Sequence, residues 1–301
     1  MKVKSINVAL NDYCNNKCQS CHIWENKSHH RLSPRDLESL LLHFPEIEDI
    51  SLTGGEPFLE ENLPEIIQTI IRNSRNLKML FINTNGFIPD RVKEVLSTFS
   101  FSDTYLCVSL EGPEAIHNSL RGVSSYNNVI KTLQFNGTHK KVVSTTLQRQ
   151  NCTVENMAFL VETVRNFGAD LTFRFAEAGP YYMNESCPPN KPTRQQIEEV
   201  MKFMFQYRSD KFFMLYKTFL ETGEIALMKD REVIKCKAGE AFITVQADYQ
   251  IYPCIFSSRS IGSIKDGIKT FNDRGKHEPC PCFTECTIYP MLNYGGQSDD
   301  S

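Results

Sequence analysis

Three cysteines lie close together near the start of the chain, in the segment Cys14-Asn-Asn-Lys-Cys18-Gln-Ser-Cys21. Thiolates at this spacing can bind one metal cluster if the loop curls around it. A four-iron cluster held by three cysteines keeps one iron without a protein ligand, and an open coordination position is a feature of catalytic metals. The spacing therefore predicts a cluster with one iron free to bind a small molecule.

Two other metal sites fit parts of this segment. The run Cys18-Gln-Ser-Cys21-His22 has the spacing of c-type haem attachment, although that interpretation leaves Cys14 unused. A structural zinc site would instead recruit histidines from the same region, namely His22, His29 or His30. We favour the cluster because it uses all three cysteines.

A second group of cysteines lies near the end of the chain and consists of Cys236, Cys254, Cys280, Cys282 and Cys286. Scattered core thiols would not group in this way, and disulfides are rare in reducing compartments, so we interpret the group as metal ligands. One four-iron cluster needs at most four thiolates. Cys280 is therefore either a ligand or a spare thiol, and spacing alone leaves zinc open as the metal.

The chain has 301 residues, a formal net charge of -3 and 41% hydrophobic residues. This length suits one large α/β domain with a small appendage. No run approaches the roughly 18 apolar residues of a membrane-spanning helix, and the N-terminus lacks a secretory signal. We expect a cytoplasmic protein without membrane association, and the scattered basic residues argue against a nucleic-acid partner.

Strand-like and helix-like segments alternate over the first two thirds of the chain. The predicted strands are Ser5–Asn11, Asp49–Thr53, Lys78–Thr84, Thr104–Leu110, Lys141–Leu147 and Asp170–Phe175. Helix starts are predicted at Ser33-Pro34, Asn62-Leu63-Pro64, Ser125 and Val154, the last helix ending at Gly168. This α/β pattern predicts a partial, six-stranded parallel (β/α)6 barrel with its function at the carboxyl ends of the strands. A doubly wound sheet has the same periodicity.

The pattern changes after Gly179, where Gly179-Pro180 and Cys187-Pro188-Pro189 indicate loops. Helices are predicted over Thr193–Tyr207 and Lys211–Met228, and short strands over Ala241–Gln246 and Gln250–Pro253. We therefore divide the chain into a barrel (1–208), a helical linker (209–235), a small cysteine-rich module (236–290) and a polar tail (291–301). We expect metal binding, rather than a hydrophobic core, to stabilise the cysteine-rich module.

The cysteine spacing at the end of the first strand resembles that of the radical S-adenosylmethionine (SAM) superfamily, and the resemblance covers essentially the whole barrel. In that family the open iron of a [4Fe-4S] cluster chelates SAM, which is cleaved by one electron to a 5′-deoxyadenosyl radical. The resemblance implies the same cluster and cofactor here. The protein would position a substrate C–H bond and exclude water.

Two further motifs carry this resemblance. Thr53-Gly54-Gly55-Glu56-Pro57 is similar to the GGE motif of the family, which implies that Glu56 faces the methionine ammonium and that Gly54 and Gly55 let the backbone approach the cofactor. Asn83-Thr84-Asn85-Gly86 resembles a T-N-G run that lies beside the cofactor, which makes Asn85 a cofactor contact.

The fourth strand carries another such motif. Val108-Ser109-Leu110-Glu111-Gly112-Pro113 resembles an S-L-D-G-P stretch, with Glu111 in the place of the usual aspartate and Ser109 as a contact to the ribose or carboxylate. Arg121 matches an arginine that grips the methionine carboxylate, for which a bidentate guanidinium is suited. Arg174 is a further inward-facing candidate.

One position departs from the family. The residue before the third cysteine is usually aromatic and contacts adenine, whereas this chain has Ser20. The adenine contact is therefore left unassigned, with Ile23 and Trp24 as candidates.

The C-terminal cysteines resemble the auxiliary-cluster extension of SPASM/twitch radical enzymes. The features in common are C-x-A-G at Cys236, a short hairpin, Pro-Cys at Cys254 and then closely spaced cysteines. A complete SPASM domain has seven cysteines for two clusters, so the smaller number here implies one auxiliary [4Fe-4S] cluster.

A SAM-binding cluster together with an auxiliary cluster predicts one of two reactions. The substrate radical loses an electron to the auxiliary cluster, which is oxidation, or it accepts a hydrogen atom from a thiol, which is epimerisation. Cys280 and Cys107 are the candidate donors, and Cys152 and Cys187 are weaker alternatives. Cys107 lies two residues before Ser109 on the same predicted strand, so both side chains are expected on the same face.

The substrate class follows from the position of the cluster motif. Many relatives that modify ribosomal peptides have a peptide-binding domain ahead of the barrel, whereas here the motif begins at Cys14. We therefore expect a small polar metabolite, such as an amino sugar or a sugar alcohol, and an external electron donor such as flavodoxin or ferredoxin. The alternatives are a ribosomal-peptide maturase and an electron-transfer protein, although the latter has no need of the GGE motif.

Overall fold

The computed structural model describes residues 3–207 and 237–268, together with two short strands at 226–227 and 232–233. The strands are β1 (Ser5–Ala9), β2 (Asp49–Thr53), β3 (Met79–Thr84), β4 (Thr104–Ser109), β5 (Lys140–Leu147), β6 (Asp170–Phe175), β7 (Ala226–Leu227), β8 (Glu232–Val233), β9 (Phe242–Val245), β10 (Gln250–Tyr252), β11 (Gly262–Ser263) and β12 (Gly267–Ile268). The helices are α1 (Pro34–His43), α2 (Leu63–Asn73), α3 (Pro89–Leu96), α4 (Glu114–Arg121), α5 (Tyr126–Gln134), α6 (Val154–Phe167) and α7 (Arg194–Met204).

Strands β1 to β6 pair in parallel and in chain order. Side chains from all six strands line one cavity, so the sheet curls around an interior, and the alternate side chains pack outward against the helices. The predicted α/β class and partial (β/α)6 barrel are confirmed. Among the described residues, no helix has the length and apolar character needed to cross a membrane.

The helix ends show why the sequence pattern was informative. Ser33 caps α1 in a reciprocal capping box with Asp36, and Pro34 occupies the first turn. Thr153 caps α6, which ends at Gly168 in the left-handed conformation, with a φ of 58°. Helix α4 is an addition to the predicted elements; it is short and ends at Gly122, also left-handed.

Residues 237–268 extend the barrel sheet. Strand β9 pairs in parallel with β1, and β10, β11 and β12 follow in antiparallel order. Phe242, Ile243 and Ile251 are buried in the same hydrophobic core as the barrel. The expectation that this region lacks a hydrophobic core is therefore wrong for these residues, because strand pairing carries their apolar side chains onto the barrel.

The region predicted as a helical linker contains β7 and β8, which pair antiparallel. The chain is therefore extended, not helical, at Ala226–Leu227 and Glu232–Val233, where each strand satisfies its backbone groups across the pair. The remainder of that predicted linker and the predicted tail lie outside the described residues. The division of the chain into four segments stays a prediction.

Candidate functional site

The interior of the barrel is a cavity of about 840 Å³. It is lined by inward-facing side chains of β1 to β6 and by the loop that follows β1. Cavities that bind small ligands usually have volumes of about 300–1,000 Å³. The barrel therefore offers a site large enough for a cofactor and a small substrate.

Cys14, Cys18 and Cys21 all line this cavity and are partly buried. Burial raises the pKa of Cys14 and of Cys21 to about 12. A thiol with a raised pKa stays protonated and is a weak nucleophile, but a metal that binds it displaces the proton. These residues therefore suit metal ligation better than nucleophilic chemistry. Within the described residues, no three Cys, His, Asp or Glu side chains converge as a single metal ion requires.

Three N–H donors near these thiols lack a hydrogen-bond partner in the described part of the chain. They are Asn16 Nδ2, Trp24 Nε1 and Arg121 Nε, each buried and each on a residue that lines the cavity. Asn16 is 1% exposed, and its Oδ1 is also unpaired. Buried donors are almost always paired in a complete structure. The donors therefore fit a bound group with acceptor atoms, such as cluster sulfides or a cofactor carboxylate.

The glycines of the GGE motif bring the end of β2 against the chain just before Cys14. Gly55 N donates to Asn11 O at 3.0 Å, and Glu56 N donates to Tyr13 O at 3.0 Å. A Cβ atom on Gly55 would lie 1.9 Å from Tyr13 O, and one on Gly54, whose φ is +144°, would lie 2.7 Å from Asn11 O. In the described structure the glycines thus permit a close approach to protein backbone, whereas the family resemblance implied an approach to the cofactor.

Glu56 connects the ends of β2 and β3. Its side chain is 1% exposed and accepts hydrogen bonds from Phe58 N at 3.2 Å, from Thr84 Oγ1 at 2.9 Å and from Asn85 N at 2.7 Å. Burial raises the pKa of Glu56 to about 7. A cation bound beside Glu56 would favour its ionised form.

Asn85 links the end of β3 to the cysteine loop. Its Nδ2 donates to Asn15 Oδ1 at 2.7 Å and lies 3.7 Å from Cys14 Sγ. Its Oδ1 accepts from Phe87 N at 2.9 Å, which leaves the amide nitrogen facing the loop. Asn85 therefore contacts the loop that bears the thiols, as well as lining the cavity.

Arg121 pairs with Glu111 through its terminal Nη2 atom. Its Nη1 lies 3.6 Å from Cys18 Sγ. Burial opposes the charge of Arg121, but Glu111 and Cys18 outweigh burial and raise the pKa of the guanidinium. The substitution of glutamate for the family aspartate thus gives Arg121 a buried carboxylate partner inside the chain.

Glu111 is in turn held from several sides. Its Oε2 accepts from Thr145 Oγ1 at 3.1 Å and from Thr146 N at 2.9 Å. Its backbone N–H donates to His117 Nδ1 at 3.2 Å. The ring of His117 is therefore protonated on Nε2, which contacts Ser125 Oγ at 2.9 Å.

The end of α4 fixes the cysteine loop through backbone contacts. Lys17 N donates to Arg121 O, and Gln19 N donates to Leu120 O, both at 3.0 Å. A Cβ atom on Gly122 would lie 2.2 Å from Lys17 O, and the φ of Gly122 is +67°. Gly122 therefore ends α4 and also makes room for the loop.

Ser109 and Cys107 line the cavity from β4, which confirms the prediction that their side chains lie on the same face of the strand. Cys107 is 8% exposed. Arg174 also lines the cavity from β6, as predicted, and contacts Thr146 Oγ1 and the hydroxyl of Tyr182.

A segment that sequence reasoning treated as a loop holds the third cysteine. Asn184 is 0% exposed, and its Nδ2 donates to Ser20 O at 2.7 Å and to Glu177 O at 3.2 Å. His22 N donates to Tyr182 O at 2.8 Å. The Gly-Pro and Pro-Pro pairs marked a loop but carried no signal that it contacts residues so far away in the sequence.

The candidate adenine contacts line the cavity, whereas two of the candidate zinc ligands lie beside carboxylates. Ile23 and Trp24 line the cavity beside Ser20. His30 is exposed and contacts Asp12 Oδ2 at 3.0 Å. His22 lies 3.7 Å from Glu25 Oε2.

Of the second cysteine group, the structure describes Cys254. It follows β10 and is buried, and the next residue, Ile255, lines the barrel cavity. Phe256 packs against Tyr182, with ring centroids 5.9 Å apart. The other predicted ligands of this group lie outside the described residues: Cys236, Cys280, Cys282 and Cys286.

Comparisons with known proteins agree with this geometry. Residues 8–147 match the family described as the Radical SAM superfamily. A probable GTP 3′,8-cyclase from Methanococcus maripaludis is 22% identical over 286 residues, 92% of this chain and 93% of that protein. The GTP 3′,8-cyclase of Aquifex aeolicus is 24% identical over 278 residues, 85% of this chain and 83% of that protein.

A solved structure shares the fold. Streptococcus suis SuiB, determined with S-adenosylmethionine, superimposes with a TM-score of 0.67 at 17% identity. The match covers 92% of this chain and 66% of SuiB, so the chain spans just under two thirds of that protein. The family match therefore identifies residues 8–147, from the end of β1 to the end of β5, as a radical SAM domain, and members of that superfamily use a [4Fe-4S] cluster and SAM.

Proposed function

We propose that Cys14, Cys18 and Cys21 bind a [4Fe-4S] cluster and that SAM occupies the adjoining part of the barrel cavity. The observation that carries this proposal is that the three thiols line one cavity together with Gly54, Gly55, Glu56, Asn85, Ser109 and Arg121. When bound, the cluster and SAM supply a 5′-deoxyadenosyl radical that abstracts a substrate hydrogen atom. The unpaired N–H donors around the thiols support a group bound between them.

The residues of the chain have separate tasks in this proposal. Glu56 fixes the turn after β2 and presents a carboxylate to the methionine ammonium. Arg121 lies beside Cys18 and, because Glu111 already balances its charge, acts as a hydrogen-bond donor to the cluster or the cofactor carboxylate. Asn85 and Asn184 hold the loop, and Ser109 offers a hydroxyl to the ribose or carboxylate. The barrel wall excludes water from the radical.

We propose a small polar metabolite as the substrate and oxidation or epimerisation as the reaction. The polar side chains of the barrel interior support this substrate class. Oxidation removes one electron and one proton from the substrate radical, and an auxiliary [4Fe-4S] cluster would supply the electron acceptor. Its proposed ligands are Cys236, Cys254, Cys282 and Cys286, with Cys280 either a ligand or a spare thiol. Epimerisation needs a hydrogen-atom donor, for which Cys107 lines the cavity and Cys280 is the second candidate.

A nucleotide substrate is the second candidate, because relatives named GTP 3′,8-cyclase align over nearly the whole chain. Peptide modification is a further alternative, since SuiB has also been solved with the precursor peptide SuiA. In each case an external donor such as flavodoxin or ferredoxin would supply the electron that starts the reaction.

The experiment is anaerobic incubation of the reconstituted, reduced protein with SAM, followed by measurement of 5′-deoxyadenosine. We expect 5′-deoxyadenosine from the wild-type protein and none from the Cys18→Ala variant. Its absence from wild-type protein that contains the cluster would contradict the proposal. With substrate in deuterated water, epimerisation incorporates solvent deuterium at the reacting carbon, whereas oxidation does not.

A further inference from the structure

Small polar side chains form part of the interior wall of this barrel. In a closed barrel of parallel strands, bulky branched residues usually fill the interior. Here Asn7 on β1, Asn83 on β3, Ser144 on β5 and Thr172 on β6 line the cavity. We call these four residues the lumen polar set.

Each member of this set carries polar atoms without a hydrogen-bond partner among the described residues. Asn83 Nδ2 donates to Leu52 O at 2.8 Å and to Ser51 Oγ at 3.0 Å. A carbonyl oxygen can only accept, so these contacts fix the amide orientation and leave Asn83 Oδ1 as an acceptor. The side chains of Asn7, Ser144 and Thr172 make no hydrogen bond to the described protein. Polar groups inside a fold are almost always paired, so unpaired groups on a cavity wall point to a polar ligand.

The charges of the cavity restrict that ligand. The described lining residues include four carboxylates and three guanidinium groups, namely Asp49, Glu56, Glu111, Asp170, Arg121, Arg165 and Arg174. No lysine is among these described lining residues. The described lining therefore has a formal charge of -1.

Each of the three guanidinium groups contacts a protein partner, and Arg121 keeps one unpaired donor among the described residues, Nε, which fits the cluster or the cofactor carboxylate. Arg121 pairs with Glu111. Arg174 donates to the Tyr182 hydroxyl and to Thr146 Oγ1. Arg165 lies over the ring of Tyr207, 5.2 Å from its centroid. A phosphate ester needs available cations or helix N-termini to offset its charge, so a polyphosphate is poorly matched to this lining.

We propose that the lumen polar set binds a neutral, hydroxyl- or amide-bearing part of the substrate, and that the cavity selects against phosphorylated compounds. This inference rests on the proposed function, because it places the substrate in the barrel beside SAM. It separates this chain from relatives named for GTP, whose triphosphate would bring several negative charges beside a described lining that has no excess of positive charge.

The first test needs no knowledge of the substrate. Thr172→Val removes a hydroxyl without a protein partner, so we expect an unchanged or higher melting temperature. The matched control is Thr145→Val, because the Thr145 hydroxyl is fully buried and bonded to Glu111. We expect that control to lower the melting temperature by roughly 2–4 °C. A comparable loss in Thr172→Val would overturn the inference.

The second test compares ligands that differ in their phosphates, namely N-acetylglucosamine with N-acetylglucosamine 6-phosphate and guanosine with GTP. Binding is measured as the rise in melting temperature of the cluster-loaded, SAM-bound protein. We expect the neutral member of a pair to bind at least tenfold more tightly and Thr172→Val to weaken it. Tighter binding of the phosphorylated member, or equal behaviour within both pairs, would overturn the inference.

The two proposals fail in different measurements. If reduced protein with SAM forms no 5′-deoxyadenosine but the neutral compounds bind, the proposed function is wrong and the selectivity of the cavity remains. If 5′-deoxyadenosine forms and GTP is the preferred ligand, the proposed function remains and the inference about the lumen polar set is wrong.

Discussion

The two cysteine-bearing regions of the molecule are stabilised in different ways. The loop from Cys14 to Cys21 has no regular secondary structure and is fixed by contacts with the segments that follow β3 and β6 and with the end of α4. The segment that follows β2 holds the chain just before Cys14. Cys254 instead follows β10, in a hairpin whose other strand, β9, pairs with β1. The first region is shaped by distant parts of the barrel, the second by its own hairpin and the shared core.

This difference indicates which region tolerates change. These contacts join residues far apart in sequence, so a shift of one of the contacting segments displaces a thiol. The hairpin around Cys254 gains stability from apolar burial, which is less sensitive to small displacements. We therefore expect changes at the first loop to affect the cluster strongly and changes outside it to affect mainly folding stability.

The largest effect is expected when the thiols are removed. Replacing Cys14, Cys18 and Cys21 together with alanine should lower the iron content from about eight to about four per chain, because one of two four-iron clusters is lost. Cys254→Ala should also remove about four irons but leave the electron paramagnetic resonance signal of the other cluster. The exposed Cys187 provides the control, since Cys187→Ala should keep about eight. About four irons in the wild-type protein would contradict the auxiliary cluster.

The second largest effect is expected from Gly55→Ala. The added methyl group would lie 1.9 Å from Tyr13 O, so we expect the loop to shift and 5′-deoxyadenosine formation to fall at least a hundredfold. In the control Gly168→Ala, the new methyl group has no atom within 4 Å and meets only the strain of a φ of +58°. That variant should lose about 1 kcal/mol of unfolding free energy and keep its cluster. Equal iron retention in the two proteins would refute this contrast.

A smaller effect is expected from Asn184→Asp. The carboxylate keeps the acceptor for Gly179 N but replaces the donor to Ser20 O with an oxygen atom. We expect several-fold faster iron loss to a chelator and an altered paramagnetic resonance spectrum in the presence of SAM. Asn76→Asp changes a similar amide contact, to Pro45 O, on the exposed surface. Loss of stability in both variants without a spectral change in Asn184→Asp would mean that Asn184 does not position the loop.

The smallest effect concerns pH and His117. Burial and the nearby Arg121 lower the pKa of His117 from 6.5 to about 3. Below pH 6.5 the histidine of the unfolded chain binds a proton, whereas that of the folded chain does not until the pH approaches 3. The free energy of unfolding therefore falls as the pH falls from about 6.5 to about 3. Between pH 7 and pH 5.5 this residue should cost about 1 kcal/mol of unfolding free energy.

Denaturant titrations at the two pH values measure this cost. His117→Gln should be less stable at pH 7 but should lose about 1 kcal/mol less on acidification. His43→Gln removes an exposed histidine and should lose as much as the wild-type protein. An unchanged pH dependence in His117→Gln would show that His117 does not carry this proton linkage.

The sequence was most informative where local patterns determine structure. Short apolar runs located β1 to β6, and the caps at Ser33 and Gly168 located helix ends. The cysteine, GGE and T-N-G motifs identified residues that line one cavity because parallel strands bring their carboxyl ends together.

The sequence was least informative where two distant segments meet. Asn184 contacts Ser20 across 164 positions of chain, and no local pattern marks that contact. The pairing of Arg121 with Glu111 was also missed, because the arginine was interpreted by its match to a cofactor-binding residue rather than by its neighbours. Strand β9 was predicted as a strand, but its pairing with β1 depends on the closed topology of the whole chain.

That pairing has a consequence for synthesis of the protein. Ser5 on β1 pairs with Phe242 on β9, so one edge of β1 stays unpaired until the last third of the chain has been synthesised. At about 5–20 residues per second, this delay is roughly 10–50 s during translation. An unpaired strand edge is prone to association with other chains. The newly made barrel therefore needs prompt completion, and overproduction at lower temperature with chaperones should increase the yield of unaggregated protein.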